Sequence, residues 1–186
     1  MFHRLLPFRS GLAFVFLLLF TVPGQAWAAV EVAFYSRELG GNNFPHAFVT
    51  LKGTLDATGE PIDTSYGFTA KAVTPAVLFG SVAGEVLVEG ERQIARSDRQ
   101  FALILTDEQY AAAMAVVERW RTRRQPSYNL SRRNCIHFVA EIAEAAGLRI
   151  EYPRRLMRRP RSYLQHIRAL NPQLGAPPLI ELPPPS

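Results

Sequence analysis

Asn134-Cys135-Ile136-His137-Phe138-Val139-Ala140-Glu141-Ile142 carries the only cysteine of the chain at the point where an amphipathic helix is expected to begin. Cys135, Phe138, Val139, Ile142, Ala143 and Ala146 recur at helical spacing and form one apolar stripe that would face a core. Gly147 supplies the left-handed stop, and Leu148 is the apolar residue that often follows it. A side chain in the first helical turn sits among unpaired backbone N–H groups at the positive end of the helix dipole. That position favours an anion, and for cysteine it favours the reactive thiolate. The alternative is that Cys135 is a small buried hydrophobe, since cysteine packs well in cores.

The start of the chain bears on that choice. Arg4 and Arg9 precede an apolar run from Gly11 to Val22, and Pro23-Gly24-Gln25 then leads to Ala26-Trp27-Ala28, a small-x-small cleavage pattern. Residues 1–28 therefore read as a secretory signal cut near Ala28. The run is short for a bilayer span, and no second apolar stretch of spanning length follows, so a soluble periplasmic or secreted protein is expected. An uncleaved anchor is the other reading. In an oxidising compartment an odd cysteine is either a partner for another chain or a thiol kept free for chemistry, which weighs against a purely structural role. Without residues 1–28 the chain retains 19 Lys and Arg against 16 Asp and Glu. It is mildly basic, not a polycation, and nucleic acid is not an expected partner after export.

Along the remaining chain, Val30 to Arg37 alternates and is rich in β formers, which predicts a strand. Leu39-Gly40-Gly41-Asn42-Asn43 is a loop by composition. In Phe44 to Leu51, Ala47, Val49 and Leu51 share one face while His46, Phe48 and Thr50 share the other, so His46 lies near the start of a second strand. A turn from Asp56 to Glu60 predicts a hairpin to a partner strand near Thr64 to Ala70. Lys71 to Ser81, with Pro75, reads as connecting chain, and Glu85 to Glu89 and Gln100 to Leu105 as two further strands. Thr106-Asp107-Glu108-Gln109 has the form of a capping box. Tyr110, Ala113, Met114, Val117 and Trp120 continue it as a helical stripe that ends before Pro126.

Strands followed by two helices give an α+β fold, a mostly antiparallel sheet packed against the cysteine helix and a second helix. Residues 29–150 are assigned to this domain. Residues 151–170 form a basic helical extension, with six arginines between Arg149 and Arg161 and a short helix from Ser162 to Leu170. Residues 171–186, with six prolines in sixteen positions, form an extended or disordered tail.

A thiolate nucleophile needs a base held within hydrogen-bonding reach. Of the four histidines, His3 departs with the signal. His137 is two positions beyond Cys135 on the same helix, about 200° around its axis, and cannot turn back to the sulfur. His166 belongs to the arginine-rich segment and reads as a surface residue. His46 remains, on a strand beside a glycine-rich loop; in isolation it would read as a strand histidine satisfied by backbone.

The pairing of Pro45-His46-Ala47-Phe48-Val49 on a strand with a later Asn134-Cys135-Ile136-His137-Phe138 opening a helix resembles the circularly permuted branch of the papain-like NlpC/P60 superfamily. There the catalytic histidine precedes the cysteine, as it does in lecithin:retinol acyltransferase-like and PPPDE-type relatives. The resemblance covers Val30 to Leu148 by order of elements and rests on these two short motifs. It implies a permuted papain-like domain with Cys135 as nucleophile and His46 as base, and a backbone N–H at Cys135 that helps to hold an oxyanion. Asn134 is either a second oxyanion donor or the helix cap. The family often orients its imidazole with a polar residue on the strand after the histidine. Here that strand offers Asp63, Thr64, Ser65, Tyr66 and Thr69, and Tyr66 is the residue assigned.

The expected activity is that of an exported cysteine peptidase or amidase acting on an envelope peptide, such as a peptidoglycan stem, through a thioester. Two alternatives stand beside it: an acyltransferase or lipase using the same dyad, and an inactive binding module of the same fold. Arg154, Arg155, Arg158, Arg159 and Arg161 could meet an anionic envelope surface or form a solvated basic face. No cofactor is expected, and one cysteine with scattered histidines lacks the spacing of a zinc site. The expected state is a monomer.

Overall fold

The computed structural model describes residues 29–38 and 44–174; the signal segment, the 39–43 loop and residues 175–186 lie outside the described residues. In chain order the elements are β1 (Val30–Arg37), β2 (His46–Thr54), β3 (Pro61–Ala70), α1 (Ala76–Phe79), β4 (Ser81–Val82), β5 (Gly84–Leu87), α2 (Glu91–Ala95), β6 (Asp98–Leu105), α3 (Asp107–Arg121), β7 (Tyr128–Asn129), α4 (Cys135–Ala145) and α5 (Pro160–Leu170). Five strands form one sheet in the order β5-β3-β2-β1-β6, each pair antiparallel, and β4 and β7 form a separate two-stranded ribbon. The class is α+β with a mostly antiparallel sheet, as the alternating apolar pattern predicts.

β2 is the middle strand and is buried on both sides, which is why both of its faces are apolar apart from His46 and Thr50. On one face Val32 pairs with Leu51 and Phe34 with Val49, and these side chains join the core beneath α4 and α5. On the other face Phe48 is fully buried and stacks on Tyr35 with ring centroids 5.2 Å apart. Both sheet faces must therefore be covered, and the β5–α2 segment contributes to the second covering: Ser65 bonds the backbone of Glu89, and Arg37 bonds Gln93.

α4 is the central helix. Cys135, Ile136, Phe138, Val139, Ala140, Ile142 and Ala143 are all buried along it, and Phe138 packs edge-on against Trp120 of α3 at 5.6 Å. Gly147 at φ +86° closes its C-terminus, and the N–H of Leu148 reaches back to the carbonyl of Ala143 at 3.0 Å. α3 begins with the capping box read from the sequence: Thr106 Oγ1 accepts from Gln109 N, and Gln109 Oε1 accepts from Thr106 N.

Three assignments need correction. Residues 160–170 are no basic appendage: Tyr163, Leu164 and Ile167 of α5 are fully buried in the common core, because their spacing gives the helix an apolar stripe beneath its arginines. The tail begins later than Asn171, which is buried and ties Arg149 N and O and the Ile167 carbonyl together through its amide. The connection from Lys71 to Ser81 holds the one-turn helix α1, and α2 follows β5 in a stretch without an apolar period.

Candidate active site

Asn134 sets the direction of the cysteine. Its Oδ1 accepts from the N–H groups of Ile136 (3.0 Å) and His137 (3.3 Å), the pattern of an N-cap. Its Nδ2 donates to the carbonyls of Leu130 (2.8 Å) and Met157 (2.7 Å). Both amide protons are committed, so Asn134 caps the helix and clamps two loops to its start; it has no side-chain proton left for an oxyanion. The N–H of Cys135 has no acceptor among the described residues and lies in the unpaired first turn.

Cys135 is only 6% exposed, and it lines a cleft of about 770 Å3 together with His46 and Glu89. His46 is the first residue of β2, where the middle strand meets the start of α4. Its Nε2 lies 2.9 Å from Glu89 Oε1, and both side chains are nearly buried. Burial by itself disfavours the imidazolium and is the largest single influence on the ring. The hydrogen bonds and charges of Cys135 and Glu89 together outweigh it and push the pKa of His46 up to about 9. The imidazole thus interacts with a thiol and a carboxylate at once.

The supports of this trio are specific. Ser65 Oγ donates to the Glu89 carbonyl (3.0 Å) and accepts from its N–H (2.9 Å), fixing the backbone that carries the carboxylate. Gly67 leaves the space: a Cβ there would stand 2.6 Å from Glu89 Oε1 and 2.7 Å from His46 Nε2. Tyr128 lines the same cleft. Burial first, and the charge of Cys135 second, raise its hydroxyl well above the usual tyrosine range, so it stays a neutral O–H.

Of the residues assigned from sequence, the structure brings Cys135 and His46 together and leaves Tyr66 out. Tyr66 pairs with Val49, so by strand alternation it stands on the opposite face of the sheet from His46. Its ring lies under the Arg121 guanidinium at 5.8 Å. The carboxylate comes instead from the connection just beyond β5, through Glu89. Ser65, on the predicted strand, holds Glu89 and not the imidazole. Thr69 lines the cleft, and Asp63 pairs with Lys52 at the surface.

His137 lies away from the trio. Its Nδ1 is 2.9 Å from Asn134 Oδ1, its ring stacks on Tyr152, and burial lowers its pKa. His166 faces Glu151 at 3.1 Å near the surface. The arginines divide: Arg161 pairs with Glu38 and Asp98, Arg154, Arg155 and Arg159 are exposed, and Arg158 lines the same cleft as Cys135 and His46.

No protein-family model, curated protein or solved structure matches this chain. Among the described residues no helix is long and apolar enough to cross a membrane, and no three His, Cys, Asp or Glu side chains converge as metal ligands.

Proposed function

We propose that the protein is an exported cysteine hydrolase of the permuted papain-like kind, acting by acyl transfer through a thioester on Cys135. The observation that carries this reading is the imidazole of His46, bonded to the Glu89 carboxylate and lining one open cleft with the Cys135 thiol, which acts on its charge. A buried cysteine serving only as a small hydrophobe does not call for a strand histidine and a buried acid beside it. Histidine and glutamate are costly to bury, and together they are balanced only by each other and by the sulfur.

The roles follow from the chemistry. With Nε2 engaged by Glu89, Nδ1 is the ring nitrogen left for the sulfur. The imidazole takes the thiol proton; the sulfur attacks the substrate carbonyl, and the tetrahedral oxyanion is met by the N–H of Cys135. The C–N bond then breaks as the imidazolium gives its proton to the leaving amine. Water, deprotonated by the same imidazole, attacks the thioester, and the C–S bond breaks to return the thiol and release a carboxylic acid. Glu89 keeps the ring oriented and stabilises its charge.

The leading substrate is an amide or isopeptide bond, such as those of envelope peptides. The second reading, transfer of an acyl group from a lipid-like donor, is favoured by the apolar wall of the cleft, where Phe44, Val73, Leu78 and Val88 are 57–71% exposed. Turnover of an amide library by wild type, set beside Cys135→Ala and His46→Ala, tests the proposal. Both variants should be folded by circular dichroism and inactive; retained activity in either one removes its assigned role.

A further inference from the structure

The cleft has two chemical halves. One is a wall of exposed apolar side chains, Phe44, Val73, Leu78 and Val88, supplied by the approach to β2, the β3–α1 connection, α1 and the end of β5. Large apolar groups left in water around a concave surface mark a binding site, because solvent gains when they are covered. The other half carries Arg37 and Arg158. Arg37 lies directly across from His46 in the β1–β2 register, and it donates through Nη1 to Gln93 Oε1 at 2.6 Å. Its Nε is buried and has no hydrogen-bond partner among the described residues. Arg158 donates to Ser131 Oγ at 2.5 Å and has no acidic partner among the described residues. Among the described residues Glu89 is the single acid lining the cleft, and it is committed to His46. Two guanidinium groups therefore face the cleft without a carboxylate to neutralise them. A buried guanidinium N–H that lacks an acceptor is costly, and a ligand anion would remove that cost.

We infer that the cleft binds an acyl amphiphile: an apolar acyl chain against the Phe44–Val88 wall, and a carboxylate or phosphate on the leaving half held by Arg37 and Arg158. This deepens the acyl-transfer reading and rests on it. The order of the halves around the sulfur is chemically consistent. The acyl carbonyl sits at Cys135, its chain runs along the wall, and the amine or alcohol released after protonation by the imidazolium carries the anion. A plain peptide stem satisfies the arginines but leaves the wall in water. A neutral lipid does the reverse.

The test uses the purified mature chain with N-lauroyl-glycine, N-acetyl-glycine and the uncharged N-lauroyl-glycinamide, followed by amine release. N-Lauroyl-glycine should be turned over with a kcat/KM at least about tenfold above either of the others, since a pair of buried methylenes, or one charge-assisted bond, contributes on that scale. Arg37→Gln and Arg158→Gln should each cut the preference for the charged substrate over the uncharged one by about tenfold. Leu78→Ser and Val88→Ser, both at exposed positions, should cut the preference for lauroyl over acetyl. Equal rates for acetyl and lauroyl substrates, or a charge preference untouched in both arginine variants, would overturn the inference. Lauroyl-phosphatidic acid in vesicles, run as a separate arm, shows whether the anion comes from a lipid headgroup or a free carboxylate. Iodoacetamide separates the two levels of failure. Rapid labelling of Cys135 that depends on His46, with no turnover of any amphiphile, defeats the substrate class and leaves the catalytic trio standing; slow labelling indifferent to His46 defeats both.

Discussion

His46 and His137 both lie close to the N-terminus of one helix, each near an acid, and they have opposite characters. His46 is held between a thiol and Glu89, which push its pKa up to about 9. His137 closes the capping box of Asn134, stacks on Tyr152 and is held below its ordinary pKa by burial, although Glu141 opposes that effect. The difference lies in what each acid is free to do. Glu141 already accepts from Trp120 Nε1 (2.8 Å) and Arg119 (2.6 Å) and braces α3 against α4. Glu89 has the imidazole as its side-chain partner. The hollow beside His137, of about 420 Å3, is lined by Ser81, Trp120, Arg123, Arg132 and Glu141, and no cysteine lines it among the described residues. Both regions hold a histidine, a carboxylate and a cavity; the thiol beside the imidazole is what sets the proposed site apart.

The largest expected effect separates the two histidines. His46→Ala should lower kcat by about 10²- to 10⁴-fold, the usual contribution of a general base, whereas His137→Ala should stay within about threefold of wild type. Steady-state kinetics on one amide substrate decide this, and a deep loss in His137→Ala would erase the distinction. Asn134→Ala removes a cap and leaves the Leu130 and Met157 carbonyls unpaired, so unfolding free energy should fall by about 2–3 kcal/mol in urea titration. A change under about 0.5 kcal/mol would show that other groups hold the helix start.

Glu89→Gln keeps the shape and removes the charge; kcat should drop about tenfold with KM little changed. Gly67→Ala, whose methyl would strike both Glu89 and His46, should give a similar loss without touching the sulfur. An unaltered Gly67→Ala enzyme would mean that the trio is not held as described.

The smallest and sharpest contrast is in pH dependence. The folded pKa of His46 lies above its ordinary 6.5, so the stabilisation from its protonated form is complete below about pH 6.5 and is lost as pH rises through about 9. For His137 the folded pKa is depressed, so its contribution is complete above about pH 6.5 and is lost as pH falls below that value. Urea unfolding of His46→Gln and His137→Gln across this range should show the two pH slopes removed separately, one in each variant. Identical slopes in both variants would contradict the assignment.

Much of this was legible in the residues, because single-period patterns report local structure well. The alternation of Val30–Arg37, the Thr106 capping box, the α4 stripe and the Gly147 stop all depend on neighbours in sequence, and each stands where the pattern puts it. His46 and Cys135 could be paired because the other histidines are set aside by their positions and because the two motifs resemble a family that pairs them. Glu89 could not be picked out. It belongs to a β5–α2 segment whose place over the second sheet face depends on Ser65 and Gly67, far away in sequence, and an isolated acid at a strand end carries no signal of its own. Tyr66 lies on the strand where an orienting residue is expected, and the β2–β3 register puts it on the face away from His46. The helix of α5 stands where it is expected, but its docking in the core is hidden by its arginines, which flank an apolar stripe of only three fully buried residues.

The most direct measurement is the rate at which iodoacetamide alkylates Cys135 at neutral pH in wild type, His46→Gln and His137→Gln. A thiol activated by His46 reacts at least about tenfold faster in wild type and His137→Gln than in His46→Gln. One slow rate common to all three proteins would mean that the sulfur is merely packed, and the catalytic account would fail.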